Sequence, residues 1–113
     1  MKDNPGEWPE LAEETRKIWN QNAEAWDSRM GERGNDFHRE LILPAFDRLL
    51  SVESDDEMLD VGCGNGVVSR YLANKGARVT GIDASVDLID YARTYRDNIS
   101  YEVLDATDEG RLL

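Results

Sequence analysis

The stretch Leu59-Asp60-Val61-Gly62-Cys63-Gly64-Asn65-Gly66 concentrates the residue types in this chain that could do chemistry. An apolar run ends in a carboxylate, Asp60, and passes into a turn with glycine at every second position. Glycines so spaced let the backbone approach a ligand where a Cβ would clash. The pattern from Val67 to Lys75 then reads as a helix. Its first N–H groups are unpaired and partially positive, so the turn is built to meet a polar group. Strand, glycine turn and helix together open a nucleotide-binding α/β unit.

Two further acids follow, each about one strand–helix–strand unit after the last. Asp83 ends the apolar run Arg78–Asp83, and Asp105 ends Ile99–Asp105. At the tip of a second parallel strand, a carboxylate can accept bonds from ribose hydroxyls, and at the third it can accept from an exocyclic amine. Each acid also has a plain structural reading as a helix cap or turn former. The glycine spacing bears on the ligand. A dinucleotide turn is G-x-G-x-x-G, whereas here Gly66 comes one place early and Val67 stands at the dinucleotide position. Asp60 would repel a pyrophosphate but suits a ligand that is positive at that end. S-adenosylmethionine, with an amino group, a sulfonium and no phosphate, has that character.

Leu59–Gly66, Val79–Ser85 and Val103–Ala106, in this order, resemble the first three cofactor motifs of class I S-adenosylmethionine-dependent methyltransferases. The resemblance implies a Rossmann-like α/β fold, truncated to about three parallel strands behind an N-terminal helical extension. It implies that Gly62, Cys63, Gly64 and Gly66 form the loop at the methionine moiety, with Asp60 ordering the amino group through water. It also implies that Asp83 holds the ribose, Ala84 lines the adenine face, and Asp105 with the Ala106 backbone reads the adenine edge. Cys63 has no base beside it and reads as a space-filler, not a nucleophile.

Other elements must position this loop. Trp8, Leu11, Ala12, Ile18, Trp19, Ala23, Trp26 and Met30 recur at helical spacing, until Gly31 and Gly34 predict a loop over 32–35. Trp26 reads first as a core aromatic and second as a contact at the methionine end of the cofactor. A second helical stretch covers 36–50, with Asp36 as its cap and Pro44 as a kink or restart. Residues 51–57 form an acidic linker. Gly76 fits the position just past a helix end. Ser85 caps a helix to about Arg96, whose Val86, Leu88, Ile89 and Ala92 face the sheet. The expected organisation is a helical extension and linker over 1–56 and the first half of the cofactor domain over 57–113.

Size and charge limit what the chain does. Its 113 residues make one small domain at most. A formal net charge of −11, with scattered bases, argues against gripping a nucleic-acid backbone. No apolar run approaches the roughly 20 residues of a membrane span. No signal-peptide pattern opens the chain and there is one cysteine, so a reducing cytoplasm is expected and no metal. The only histidine, His38, is a candidate base or substrate contact, its plainer reading being a surface residue.

The strand pattern stops short of a fourth strand. The chain is therefore expected to be the cofactor-binding half of an enzyme that methylates a small molecule, and inactive alone. An unpaired edge on the first strand predicts a homodimer or larger oligomer. The alternatives are a non-catalytic fragment completed by another chain and a dinucleotide-dependent oxidoreductase, which the glycine spacing disfavours.

Overall fold

A computed structural model describes residues 8–95 and 97–105. Helix α1 spans Trp8–Met30, a π-helical turn His38–Ile42 leads into α2 at Leu43–Leu49, and α/β alternation begins at Glu57. Strand β1 is Glu57–Val61, α3 Val67–Asn74, β2 Arg78–Asp83, α4 Val86–Thr94 and β3 Ser100–Val103. The strands are parallel in the order β1-β2-β3. The parallel three-stranded arrangement expected from the motif spacing is therefore present.

The middle strand explains the pattern. In β2, Val79, Gly81 and Ile82 are all buried, so both faces of this strand are covered. In β1 the burial alternates: Met58 and Asp60 turn inward while Leu59 and Val61 are each 56% exposed. Among the described residues β1 pairs only with β2. The core gathers Cys63, Leu72, Val79, Ile89, Ala92, Ile99 and Tyr101 between the sheet and helices α3 and α4.

Register connects the sheet to the loop above it. Val61 pairs with Ile82, so the chain leaving β1 passes directly over the end of β2. The N–H groups of Gly62 and Cys63 both donate to Ile82 O, at 2.8 and 2.9 Å. The glycine turn is thus suspended from the neighbouring strand.

Several local expectations are corrected. Asp36 does not cap the second helical stretch. Asn35 does, its Oδ1 accepting the His38 N–H at 3.0 Å, while Asp36 pairs with Arg39. The cap falls one residue earlier because its acceptor must reach the N–H three positions on. Pro44 acts as a restart: the helix widens so that Leu43 N–H reaches His38 O, and Pro44 falls in the first turn of α2, where its missing N–H costs nothing. Val86 is 44% exposed and does not face the sheet, whereas Leu88, Ile89 and Ala92 do pack inward. Ser85 caps α4 as expected, accepting from Leu88 N–H at 3.2 Å, and Gly76 takes the left-handed conformation after α3. Leu11 and Ile18 on α1 are exposed, while Ala23 and Met30 are buried.

Candidate functional site

A cavity of about 300 Å³ lies above the sheet, walled by the glycine turn, the ends of β1 and β2, and the last turns of α1. Asp60, Gly62, Cys63, Gly64 and Asp83 line it together, joined by His38, Trp19, Trp26 and Met30. No lysine or arginine is among its lining residues. A larger open groove of about 1400 Å³, bordered by Arg33, Arg39, Tyr71 and Tyr95, contains none of the glycine turn and neither of these acids. It is not the site the sequence motifs describe.

The glycines divide into two kinds. Gly62 and Gly64 have φ of 73° and 56° and border the cavity. A Cβ added at Gly62 would meet no protein atom within 4 Å, and one at Gly64 would meet only Trp26 Nε1 at 3.8 Å. Side chains are absent there for the sake of the cavity and the left-handed backbone, not of internal packing. Gly66 differs. It has φ of 92°, and a Cβ would come within 2.7 Å of Arg70 Nη1 and closer still to Tyr101 OH. It does not line the cavity; its role is to let α3 start against the core.

The acids also have distinct settings. Asp60 accepts a 2.6 Å hydrogen bond from Ser69, which is fully buried. Burial pushes the Asp60 carboxyl above its ordinary range, the Ser69 bond opposes this, and the nearby charge of Asp83 adds to the rise. A cationic ligand group beside Asp60 would favour the ionised form. Asp83 accepts from Gly64 N–H and Ser85 N–H, both at 2.9 Å. The structural reading of a strand-end aspartate therefore holds for Asp83, and it lines the cavity as well. An ionised carboxylate has about four acceptor positions, so two bonds leave room for ribose hydroxyls. Burial, with the charges of Asp60 and Asp83, pushes the Cys63 thiol up to about 12, which removes it as a nucleophile.

Asp105 is placed elsewhere. It follows β3 and accepts from Arg16 of α1 at 3.2 Å, and it is not among the cavity-lining residues. Ala84 is partly buried and also does not line the cavity; Ala106 lies outside the described residues.

Sequence reasoning missed the residues that attach α1 to the glycine turn. Asn65, only 2% exposed, donates to Asp27 Oδ1 at 2.9 Å and to Gly31 O at 3.1 Å. Tyr95 OH also donates to Asp27 Oδ1, at 2.8 Å. Buried Arg70 has no carboxylate partner among the described residues and donates instead to Glu32 O at 2.9 Å, Asn65 O at 2.7 Å and Gly31 O at 3.4 Å. Its guanidinium sits 4.1 Å from the Tyr95 ring centre. Apart from Arg70 and Asn65, five residues apart, these partners are distant in sequence, and no local spacing announces them. The aromatic wall did have a signal. Trp19 and Trp26 stand two helical turns apart on one face of α1. They meet edge to face at 5.7 Å between ring centres and remain 42% and 36% exposed. Trp26 is thus a cavity wall, not the core residue its spacing first suggested.

Comparisons with known proteins agree with this geometry. A methyltransferase domain family matches residues 58–110. The ubiquinone biosynthesis O-methyltransferase of Hydrogenovibrio crunogenus is 33% identical over 99 residues, covering 82% of this chain and 40% of that protein. A TehB-like SAM-dependent methyltransferase from Corynebacterium glutamicum superposes with a TM-score of 0.54 at 30% identity, over 89% of this chain and 48% of the other. DhpI, solved in complex with SAM and HEP, has the same fold, with a TM-score of 0.67 at 23% identity over 92% of this chain and 45% of that one. The chain thus spans less than half the length of each of these proteins. By these matches, and with the parallel sheet of that fold, the chain belongs to the class I S-adenosylmethionine-dependent methyltransferases, whose cofactor is S-adenosyl-L-methionine.

Proposed function

We propose that this chain supplies the cofactor-binding half of a methyl transfer from S-adenosylmethionine to a small-molecule acceptor. One observation carries the reading: the cavity joins two carboxylates and two left-handed glycines and has no cationic side chain in its lining. Such a site repels a pyrophosphate and attracts an amino group and a sulfonium, which also speaks against the dinucleotide alternative. The cofactor supplies an electrophilic methyl when bound. The protein's part is positional. Asp60 orders the amino group, Gly62 and Gly64 admit the methionine portion, Asp83 accepts from the ribose, and Trp19 and Trp26 shield the cavity from water. Asp105 is a further cofactor contact in this reading, reading the adenine edge while Arg16 holds one of its oxygens.

The test is a calorimetric titration of the folded chain with S-adenosylhomocysteine and, separately, with NAD. Micromolar binding of the first, lost in Asp83→Ala, is expected. Gly64 N–H and Ser85 N–H bond different oxygens of Asp83, so Asp83→Asn sets its NH2 against one of these donors, and melting curves of both variants separate loss of ligand contacts from loss of the turn itself. Tighter binding of NAD would overturn the proposal.

A second reading concerns assembly: the chain works as part of a larger unit, completed by another chain or by a second copy along β1. The exposed Leu59 and Val61 beside an edge unpaired among the described residues support it. A chain incomplete in this way would bind adenosyl ligands weakly and turn nothing over alone. No described helix is long and apolar enough to cross a membrane, and a cytoplasmic small-molecule reaction fits the reading.

A further inference from the structure

We propose that His38 is the base that takes the proton from the methyl acceptor, and that Asn35 fixes its tautomer for that task. The inference rests on the methyl-transfer reading above. His38 lines the same cavity as Asp60, Gly64 and Asp83. Asn35 Oδ1 lies 3.0 Å from the His38 backbone N and 3.0 Å from His38 Nδ1. A backbone N–H can only donate, so the amide atom facing it must be the oxygen. An amide oxygen can only accept, so Nδ1 must carry the hydrogen of the neutral ring. Nε2 is then the basic nitrogen, and it has no hydrogen-bond partner among the described residues. One side chain, Asn35, thus caps the helix and selects the tautomer.

The backbone seats the ring. Gly34 has φ of 86°, and a Cβ there would fall 2.8 Å from His38 Cβ. The π-helical turn begins at His38, and single π turns often occur at functional sites. The titratable groups sharing the cavity are Asp60, Asp83 and Cys63. On its own segment Asp36 is paired with Arg39, and Glu40 follows. Helices α1, α3 and α4 present only Trp19, Trp26, Met30, Val67, Val68 and Leu88 to the cavity, none of them charged.

This chemistry suits an acceptor that must lose a proton, a hydroxyl or phenol. Its O–H bond breaks, the proton goes to Nε2, and the electron pair stays on oxygen to bond the methyl carbon. The C–S bonding pair leaves with the sulfur. A tertiary amine or thioether acceptor needs no such base.

The chain has a single histidine, so imidazole ¹⁵N NMR of the full chain reads His38 alone. At a pH where the ring is neutral, a protonated Nδ1 and an unprotonated Nε2 are expected. Asn35→Ala should shift the ring to the Nε2–H form, and Asn35→Asp, which keeps an acceptor, should restore Nδ1–H. A wild-type ring in the Nε2–H form would overturn the proposal. So would a preparation methylating a phenol in which His38→Gln lowers kcat less than tenfold, or in which the rate does not fall on acidification. S-adenosylhomocysteine binding by His38→Gln separates the two readings. Retained binding with an unchanged rate removes only the base; if the wild-type chain itself fails to bind, the methyl-transfer reading falls with it.

Discussion

Asp60 shows how one residue can be costly to the fold and useful to the site. It is partly buried near Asp83, with compensating hydrogen bonds from the side chain and the backbone of Ser69. Its folded-state pKa is raised, so the folded chain holds this proton more tightly than the unfolded chain does. The associated stability is therefore full below the unfolded value of about 3.9 and is lost as pH rises through the raised folded value. Asp60→Asn keeps the shape of the neutral acid. It is expected to raise the melting temperature at neutral pH, and the gain should vanish at a pH below about 3.9. The same change should weaken S-adenosylhomocysteine binding roughly tenfold, the lower end of the ~1.5–3 kcal/mol for a hydrogen bond to a charged group. Melting curves and calorimetry on the same samples check both; a variant binding as tightly as wild type would remove Asp60 from the site.

At the scale of elements, the connection of α1 to the glycine turn decides whether there is a cavity at all. Trp19, Trp26 and Met30 reach the cavity only because α1 is fixed at both ends of its second half. Asn20 Oδ1 accepts from Ser85 Oγ at 2.5 Å and Asp87 N–H at 3.3 Å, which ties α1 to the start of α4. Asp27 and the Gly31 carbonyl tie its end to Asn65. Arg70 is the staple between them, since it donates to carbonyls on both sides of the junction. Replacing it with methionine keeps much of the volume but leaves the Glu32 and Asn65 carbonyls short of a donor. A loss of about 1–3 kcal/mol is expected, the cost of stranding the buried Asn65 carbonyl, since Glu32 is exposed. Urea denaturation measures it. The loss should be accompanied by weaker cofactor binding, because the turn and the aromatic wall loosen together. A cost below about 0.5 kcal/mol, the usual range for surface changes, would show that the staple contributes nothing.

For the whole molecule, the balance lies between an adhesive edge and a repulsive charge. Leu59 and Val61 present apolar surface beside a row of backbone groups with no strand partner among the described residues. Such an edge recruits another strand. The net charge of −11 opposes association, and salt screens that repulsion over about 10 Å at 0.1 M. Association of the chain, followed by light scattering, should therefore increase with salt. Val61→Lys should reduce it by placing a charge on the exposed face. A monomer at high concentration and high salt would count against the edge as a contact surface.

The order of elements, the parallel sheet and the identity of the glycine turn were legible in the sequence because each rests on local chemistry. Glycine at alternate positions, a carboxylate at each strand end and apolar runs of strand length are short-range signals, and β2 formed over Arg78–Asp83 as read. So were the Ser85 cap and the Gly76 helix stop. The sequence did not disclose which residues share a cavity. Asp83 acquired the Gly64 N–H as a donor because Val61 pairs with Ile82, a register between strands, whereas its bond from the Ser85 N–H is local. Gly66 belonged to packing because Tyr101 and Arg70 occupy the space beside it. Trp26 became a wall because Asn20, Asp27 and Asn65 set the path of α1, through contacts between residues dozens of positions apart. Spacing along one helix reports only which side chains share a face. What that face meets depends on where the rest of the chain returns, and that was decided by tertiary structure.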